Sequence, residues 1–463
     1  MKRLLLLLIS FIFIFSFTLS GCSDPDRKGE LREFLSSNED AYSEAFPEEE
    51  SEFSAFADYM KQWAAVNDVD VAFEGEHAIV LKNSATEGFK SEPSCVLLCG
   101  FNTQNASGGK AVISTAQTAL LGPTEHGDIS LAITERAGTQ LIGIDELPAE
   151  YLTADSLISL NTGNNNTILT AGPVAAKCSF LNTGTYEPST YDQAFAITFS
   201  MPEYTDPFDF VKDNNYPNPI NTIGSFLASS KSAGKLFHIA SFTSKDHAGY
   251  APYYAKAVIV VDSNNIESLK SRFEKSYSNM EDKFEDLEAE FEYTMEETDM
   301  PEKVLSDELA DNLVSLMYTL NTGVCQQDEE SGLIYAASYI KSISTKEGDL
   351  ELKMGIRARG ESYLDSLSAE YETTAGLCST KYEFSKSGRI WATDEKSSLV
   401  QYFTGCVPLQ GPAETAVSLR TYENDLIAKD LPDQEMIIYT FEKGDRKTVL
   451  ENLVDYTDPS IQK

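Results

Sequence analysis

Residues 94–114, SCVLLCGFNTQNASGGKAVIS, open as a strand and close as a helix. The continuous apolar run Cys95–Cys99 suits a strand covered on both faces, and KAVISTAQTALL (110–121) carries the apolar spacing of a helix. Between them lies a turn containing Phe101, Asn102, Thr103 and Ser107. DISLAIT (128–134) and LISL (157–160) follow as strands, and strand–helix–strand alternation argues for a three-layer α/β domain. Upstream, Phe56, Tyr59, Met60 and Trp63 share one helical face, and VDVAF (69–73) and AIVLK (78–82) read as short strands.

Near residue 186 the pattern changes. AFAITFSM (194–201), LFHIASF (236–242) and AKAVIVV (255–261) are strands, and Ile220, Ile223, Phe226 and Leu227 mark a helix. Ile266, Leu269, Phe273, Tyr277, Met280, Phe284 and Leu287 step by three and four along a long helix, read as packing on a sheet because the stripe is too short for a free coiled coil. From about Ile390 the chain returns to strand and helix, with MIIYTF (436–441) and a terminal helix. The sequence thus divides into a signal segment (1–21), an acidic tether (22–50), the first part of a core (51–185), an inserted α+β domain (186–389) and the rest of the core (390–463). About 440 residues beyond the signal segment exceed one typical core.

Lys2 and Arg3 precede the apolar run LLLLLISFIFIFSFTLS, which ends in Leu19-Ser20-Gly21-Cys22. A basic start, an apolar segment and small residues before cleavage define a secretory signal. Leu-Ser-Gly-Cys matches a bacterial lipobox, which predicts acylation of Cys22 and a lipid-anchored, extracytoplasmic protein of the cell envelope. The membrane, reached through that N-terminal lipid, is the first expected partner.

The net charge of −37 repels nucleic acid, which is excluded as a partner. The six cysteines after Cys22 are read mainly as core thiols, with a Cys325–Cys378 bridge left open; Cys95 and Cys99 lie about 13 Å apart on a strand and do not pair. Four histidines are present. His77 and His238 are placed in strands and His126 and His247 in loops, with no metal-binding spacing. NASGGKAVIS lacks the full spacing of a phosphate-binding loop.

The stretch 58–101, DYMKQWAAVNDVDVAFEGEHAIVLKNSATEGFKSEPSCVLLCGF, resembles the aminoacyl-histidine dipeptidases of the aminoacylase and carboxypeptidase superfamily of two-zinc exopeptidases. Trp63-Ala64 ends a helix, Ala85-Thr86-Glu87-Gly88 follows, and a Pro precedes the strand, all in family order. The segments 218–242 and 300–324 are similar to the family's inserted lid. The resemblance implies a zinc-exopeptidase-like α/β core carrying that lid.

It also implies where a metal centre would lie. The family's His falls on Phe101, the following Asp on Thr103, the bridging Asp on Ser107, a ligand Glu on Arg136 and a ligand Asp on Asn161. The last His falls near Asp430. Glu135 keeps the general-base position; read from the residues alone, it is a salt bridge to a local cation. Every ligand position that aligns has changed, and Arg136 opposes a dication by Coulomb repulsion. Arg357 and Arg359 fall on the lid strand where active relatives hold the substrate carboxylate, a task suited to a planar guanidinium. The expectation is a degenerate pseudopeptidase without a cofactor, in place of the zinc of active relatives, that binds a peptide or amino-acid ligand or a protein partner. The alternative is an active metal-dependent dipeptidase with atypical ligands.

Overall fold

The parallel strands around Cys95–Asn102 organise the first part of the chain. The computed structural model describes residues 25–138, 140–201, 217–246, 251–284, 291–330, 332–407, 417–419 and 421–460. The signal segment, Cys22 and His247 lie outside them. The core sheet has strand order β1 (Asp70–Glu74), β2 (Ala78–Asn83), β4 (Ile129–Ala137), β3 (Cys95–Asn102), β6 (Ser156–Thr162), β19 (Met436–Phe441) and β7 (Thr167–Leu169), with β5 (Gln140–Leu141) paired to β4. Strands β3, β4, β6 and β19 are mutually parallel, and the flanking strands are antiparallel.

Side-chain alternation sorts this sheet into two faces. Leu97, Cys99, Phe101, Leu131, Ile133, Ile158 and Leu160 pack beneath helices α1 (Pro25–Ala45), α2 (Phe53–Val66), α3 (Lys110–Leu121), α8 (Ser398–Cys406) and α10 (Arg446–Thr457). Val96, Leu98, Ala132, Leu157 and Ile438 pack on the other face, beneath α9 (Glu423–Asp430), Trp391 and the turns around Ile144–Leu152. The architecture is the expected three-layer α/β.

Helix α1 corrects the tether. Leu31, Leu35, Asn38 and Tyr42 fall on one helical face and are buried. Asn38 accepts from Trp63 Nε1 at 2.9 Å and donates to Thr118 at 3.0 Å. The remaining face is so rich in Glu and Asp that average composition hides the apolar stripe.

The change of sheet also falls earlier than residue 186. Strand β8 (Val174–Thr183) pairs with β17 (Asp349–Ala358) and β18 (Lys381–Arg389), in a five-stranded sheet with β15 (Gly323–Gln327) and β16 (Ile334–Ser344). A second sheet is formed by β11 (Phe237–Asp246), β12 (Pro252–Val261), β10 (Gln193–Ser200) and β13 (Glu292–Glu297). Helices α4 (Pro219–Ser232), α5 (Ile266–Lys283), α6 (Asp307–Thr319) and α7 (Glu361–Leu377) share one apolar core with these sheets. β8 alternates like any half-buried strand, so its sequence does not announce its new partners. The outgoing and returning segments touch where Gly172 N donates to Trp391 O at 2.9 Å.

In α5, Leu269 and Met280 are buried and Phe273 meets Tyr293 of β13 at 4.5 Å, as a helix on a sheet; Leu287 lies outside the described residues. Cys325 and Cys378 are both free thiols, so the bridge does not form. Cys325 contacts Ser338 and Tyr371, and Cys378 contacts Thr319. Among the described residues no helix is long and apolar enough to cross a membrane.

Leu35→Ala, on the buried face of α1, is expected to cost about 2–5 kcal/mol in denaturant unfolding; an unchanged midpoint would mean that α1 does not belong to the core.

Candidate functional site

The carboxyl ends of β3, β4 and β6 converge with the first turn of α9. Arg136 is the last but one residue of β4 and points to the α9 face, as Ala132 does. Its Nε and Nη2 each donate to one oxygen of Glu423 at 2.5 Å, and its Nη1 donates to Asn161 Oδ1 at 3.1 Å. Glu423 is 1% exposed and Arg136 20% exposed. Burial pulls the Arg136 value down, but the Glu423 carboxylate outweighs it and raises the guanidinium above its ordinary value.

The backbone is cut to fit this pair. A Cβ on Gly100 would overlap the Arg136 side chain, so β3 yields room where the guanidinium crosses it. The next two residues of α9 are buried as well. Asn424 accepts from Ser159 Oγ at 2.7 Å, and Asp425 accepts from Trp391 Nε1 at 2.8 Å and from Tyr422 N at 2.9 Å. Carboxylates in a first helical turn also suit the positive end of the helix dipole.

Phe101 points the other way. It is fully buried, stacked on Phe56 at 4.1 Å and edge-on to Phe46 at 5.4 Å. Thr103 has its N–H and hydroxyl on Arg136 O, at 2.8 and 3.2 Å, and its carbonyl accepts from Ser51 N. Ser107 opens a short turn before α3.

Glu135, facing away from Arg136 by strand alternation, meets His77 Nδ1 at 2.6 Å. His77 stands at the turn before β2 and not in a strand. Its backbone N–H and that of Glu76 both donate to Glu146. The hydrogen bond to Glu135 is the largest of the causes that raise the His77 imidazole above 6.5.

Asp430 is corrected. It is exposed at the far end of α9, about 10 Å along the helix from Glu423. There it lines a cleft of about 80 Å³ with Ile144, Leu147 and Ile427. Glu423, which has no counterpart among the sequence-derived candidates, holds the place beside Arg136. Its only signal is an acidic pair in the first turn of a short helix, which looks like ordinary dipole matching.

Arg357 and Arg359 brace the inserted part against the returning chain. Arg357 Nη1 donates to Leu419 O at 2.8 Å, and Arg359 donates to Ile334 O at 2.7 Å and to Val417 O. A cavity of about 450 Å³ lies apart from Arg136, between α4, α5 and β16. Among the described residues no group of three or more His, Cys, Asp or Glu side chains could hold a metal ion.

No family model matches the chain, and no curated protein matches it. Solved structures do. The aminoacylhistidine dipeptidase from Vibrio alginolyticus aligns at TM-score 0.51 and 16% identity, covering 96% of this chain and 98% of that one. A tripeptidase from Staphylococcus aureus (TM-score 0.46, 11% identity, 94% and 99% covered) and aminopeptidase PepT from Bacillus cereus (0.47, 10%, 93% and 99%) align over similar shares. The alignment to the first shows that this chain has the fold of that dipeptidase.

Two measurements check this geometry. Glu423→Leu leaves a buried guanidinium uncompensated and is expected to cost about 3–5 kcal/mol, whereas Arg136→Met with Glu423→Leu costs less than the single change. Additive losses in that double-mutant cycle would dismiss the pair. His77, followed by NMR, is expected to titrate above 6.5 and to return toward it in Glu135→Gln. Because the folded value is the higher one, the stability this contact adds is complete below the unfolded value and fades as pH rises through the folded value.

Proposed function

We propose that this is a lipid-anchored, extracytoplasmic pseudopeptidase that keeps the fold of a metallo-dipeptidase and binds a peptide or amino-acid ligand, or a protein partner, without hydrolysing it. The observation that carries the reading is the Arg136–Glu423 pair lying across Gly100 and Asn161. Two zinc ions need imidazole and carboxylate donors converging on a bridging water. At the positions that the dipeptidase resemblance assigns to those donors, the chain has an aromatic ring turned into the opposite core, a hydroxyl engaged with the backbone, an amide and a cation. The donor set does not fit the metals.

Glu423 supplies one carboxylate, but both of its oxygens are committed to Arg136. Glu135, in the place of the general base, is held by His77. With no metal-bound water to deprotonate, it serves as the partner that orients an imidazole. Arg357 and Arg359 are engaged with backbone carbonyls, which supports a bracing role over recognition of a substrate carboxylate. Cys22 in its lipobox supports the anchoring.

The test is metal analysis of the purified chain together with dipeptide hydrolysis under added zinc, cobalt and manganese. No stoichiometric metal and no turnover is the expected result. Two metals per chain with hydrolysis would establish the alternative, an active dipeptidase with atypical ligands.

A further inference from the structure

Helix α1 joins the two ends of the core. At its start, Arg27 Nη2 donates to Gly122 O at 2.9 Å and to Asp458 at 2.8 Å, while Lys28 and Arg32 reach Glu451 at 2.8 and 2.7 Å. Gly122 directly follows α3, and Asp458 directly follows α10. Each of these helices leaves the carboxyl end of a parallel strand and runs back along the sheet, so both finish at the amino edge of β3, β4, β6 and β19. At the other end of α1, Tyr42 donates to Ala106 O at 2.7 Å and Phe46 packs on Phe101 at 5.4 Å. Those contacts lie at the carboxyl edge, where Arg136 meets Glu423. A helix of 21 residues spans about 30 Å.

Only Ser23 and Asp24 separate Cys22 from the first residue of α1, a reach of about 11 Å at full extension. We infer that α1 is a rigid strut that stands the protein on the phospholipid surface by the amino edge of its parallel strands and holds the carboxyl edge, with the Arg136–Glu423 pair, about 30 Å further out, facing away from the membrane. This rests on the anchoring at Cys22 proposed above. It goes beyond anchoring, because a flexible tether would leave the orientation free. The docked helix leaves too little chain between lipid and core for the protein to turn over. The carboxyl edge of the sheet is thereby presented to ligands or partners in the space outside the membrane.

The full-length acylated chain, in vesicles of phosphatidylethanolamine with a minority of phosphatidylglycerol, tests this by energy transfer to a headgroup dye. Donors are placed at Glu125→Cys, beside the amino edge, and at Gln104→Cys, just past the carboxyl end of β3, in a Cys406→Ser background. Transfer from position 125 is expected to exceed that from position 104 several-fold. A Gly-Ser segment of about 20 residues inserted before Pro25, whose ends average about 25 Å apart, is expected to erase the difference. Acylated Cys22 with equal transfer from both positions overturns the strut alone. A chain whose Cys22 carries no acyl mass, and which leaves the membrane fraction, overturns the anchoring as well.

Discussion

A guanidinium and a carboxylate buried beside each other cost little more than the apolar contacts they replace, whereas either one buried alone costs several kilocalories. Arg136 and Glu423 are such a pair, and much of the core is arranged around them. Arg136 reaches the α9 face only because β4 keeps strict alternation up to its last residues. The guanidinium crosses β3 only because residue 100 is a glycine. Glu423 meets it only because α9 turns its first three residues inward, each onto a different partner: Arg136, Ser159 and Trp391. Removing any of these would leave a charge or an amide buried without compensation.

The opposite face of the same strands is governed by apolar packing. Phe101 sits one residue beyond Gly100, so it turns into the cluster of Phe46, Phe53 and Phe56. That cluster fastens the carboxyl end of α1 and the start of α2 to the sheet, while Arg27 fastens the beginning of α1 to the opposite edge. One strand thus provides room for the ion pair on one side and an aromatic anchor for the end of α1 on the other.

Much of the architecture was legible from local pattern. The apolar run of β3 and the alternation of strand and helix give a three-layer core, because a parallel sheet must be covered on both faces. The α5 stripe gives a helix on a sheet. The start of the insertion was not legible, since β8 has the same half-buried alternation whichever sheet receives it. The docking of α1 was hidden for a different reason. Four inward-facing residues suffice to bury a helix, but they scarcely move the average of a segment dominated by Glu and Asp.

At the candidate site, Arg136 and Asn161 stood out because a cation and an amide lie where the dipeptidase resemblance implies carboxylates, and the structure brings the two within hydrogen-bond distance. Glu423 and His77 did not stand out. Their partners lie far away along the chain, at Arg136 for Glu423 and at Glu135 for His77. Which segments of the core become strands and helices, and which face of most of them is apolar, can be read along the chain because both follow from spacings of two to four residues; α1 is the exception. Which carboxylate neutralises Arg136, which edge of the sheet α1 begins on and which sheet β8 joins were settled by packing between distant parts of the chain. Those outcomes depend on long-range burial, where a polar group goes wherever the folded chain offers it a partner.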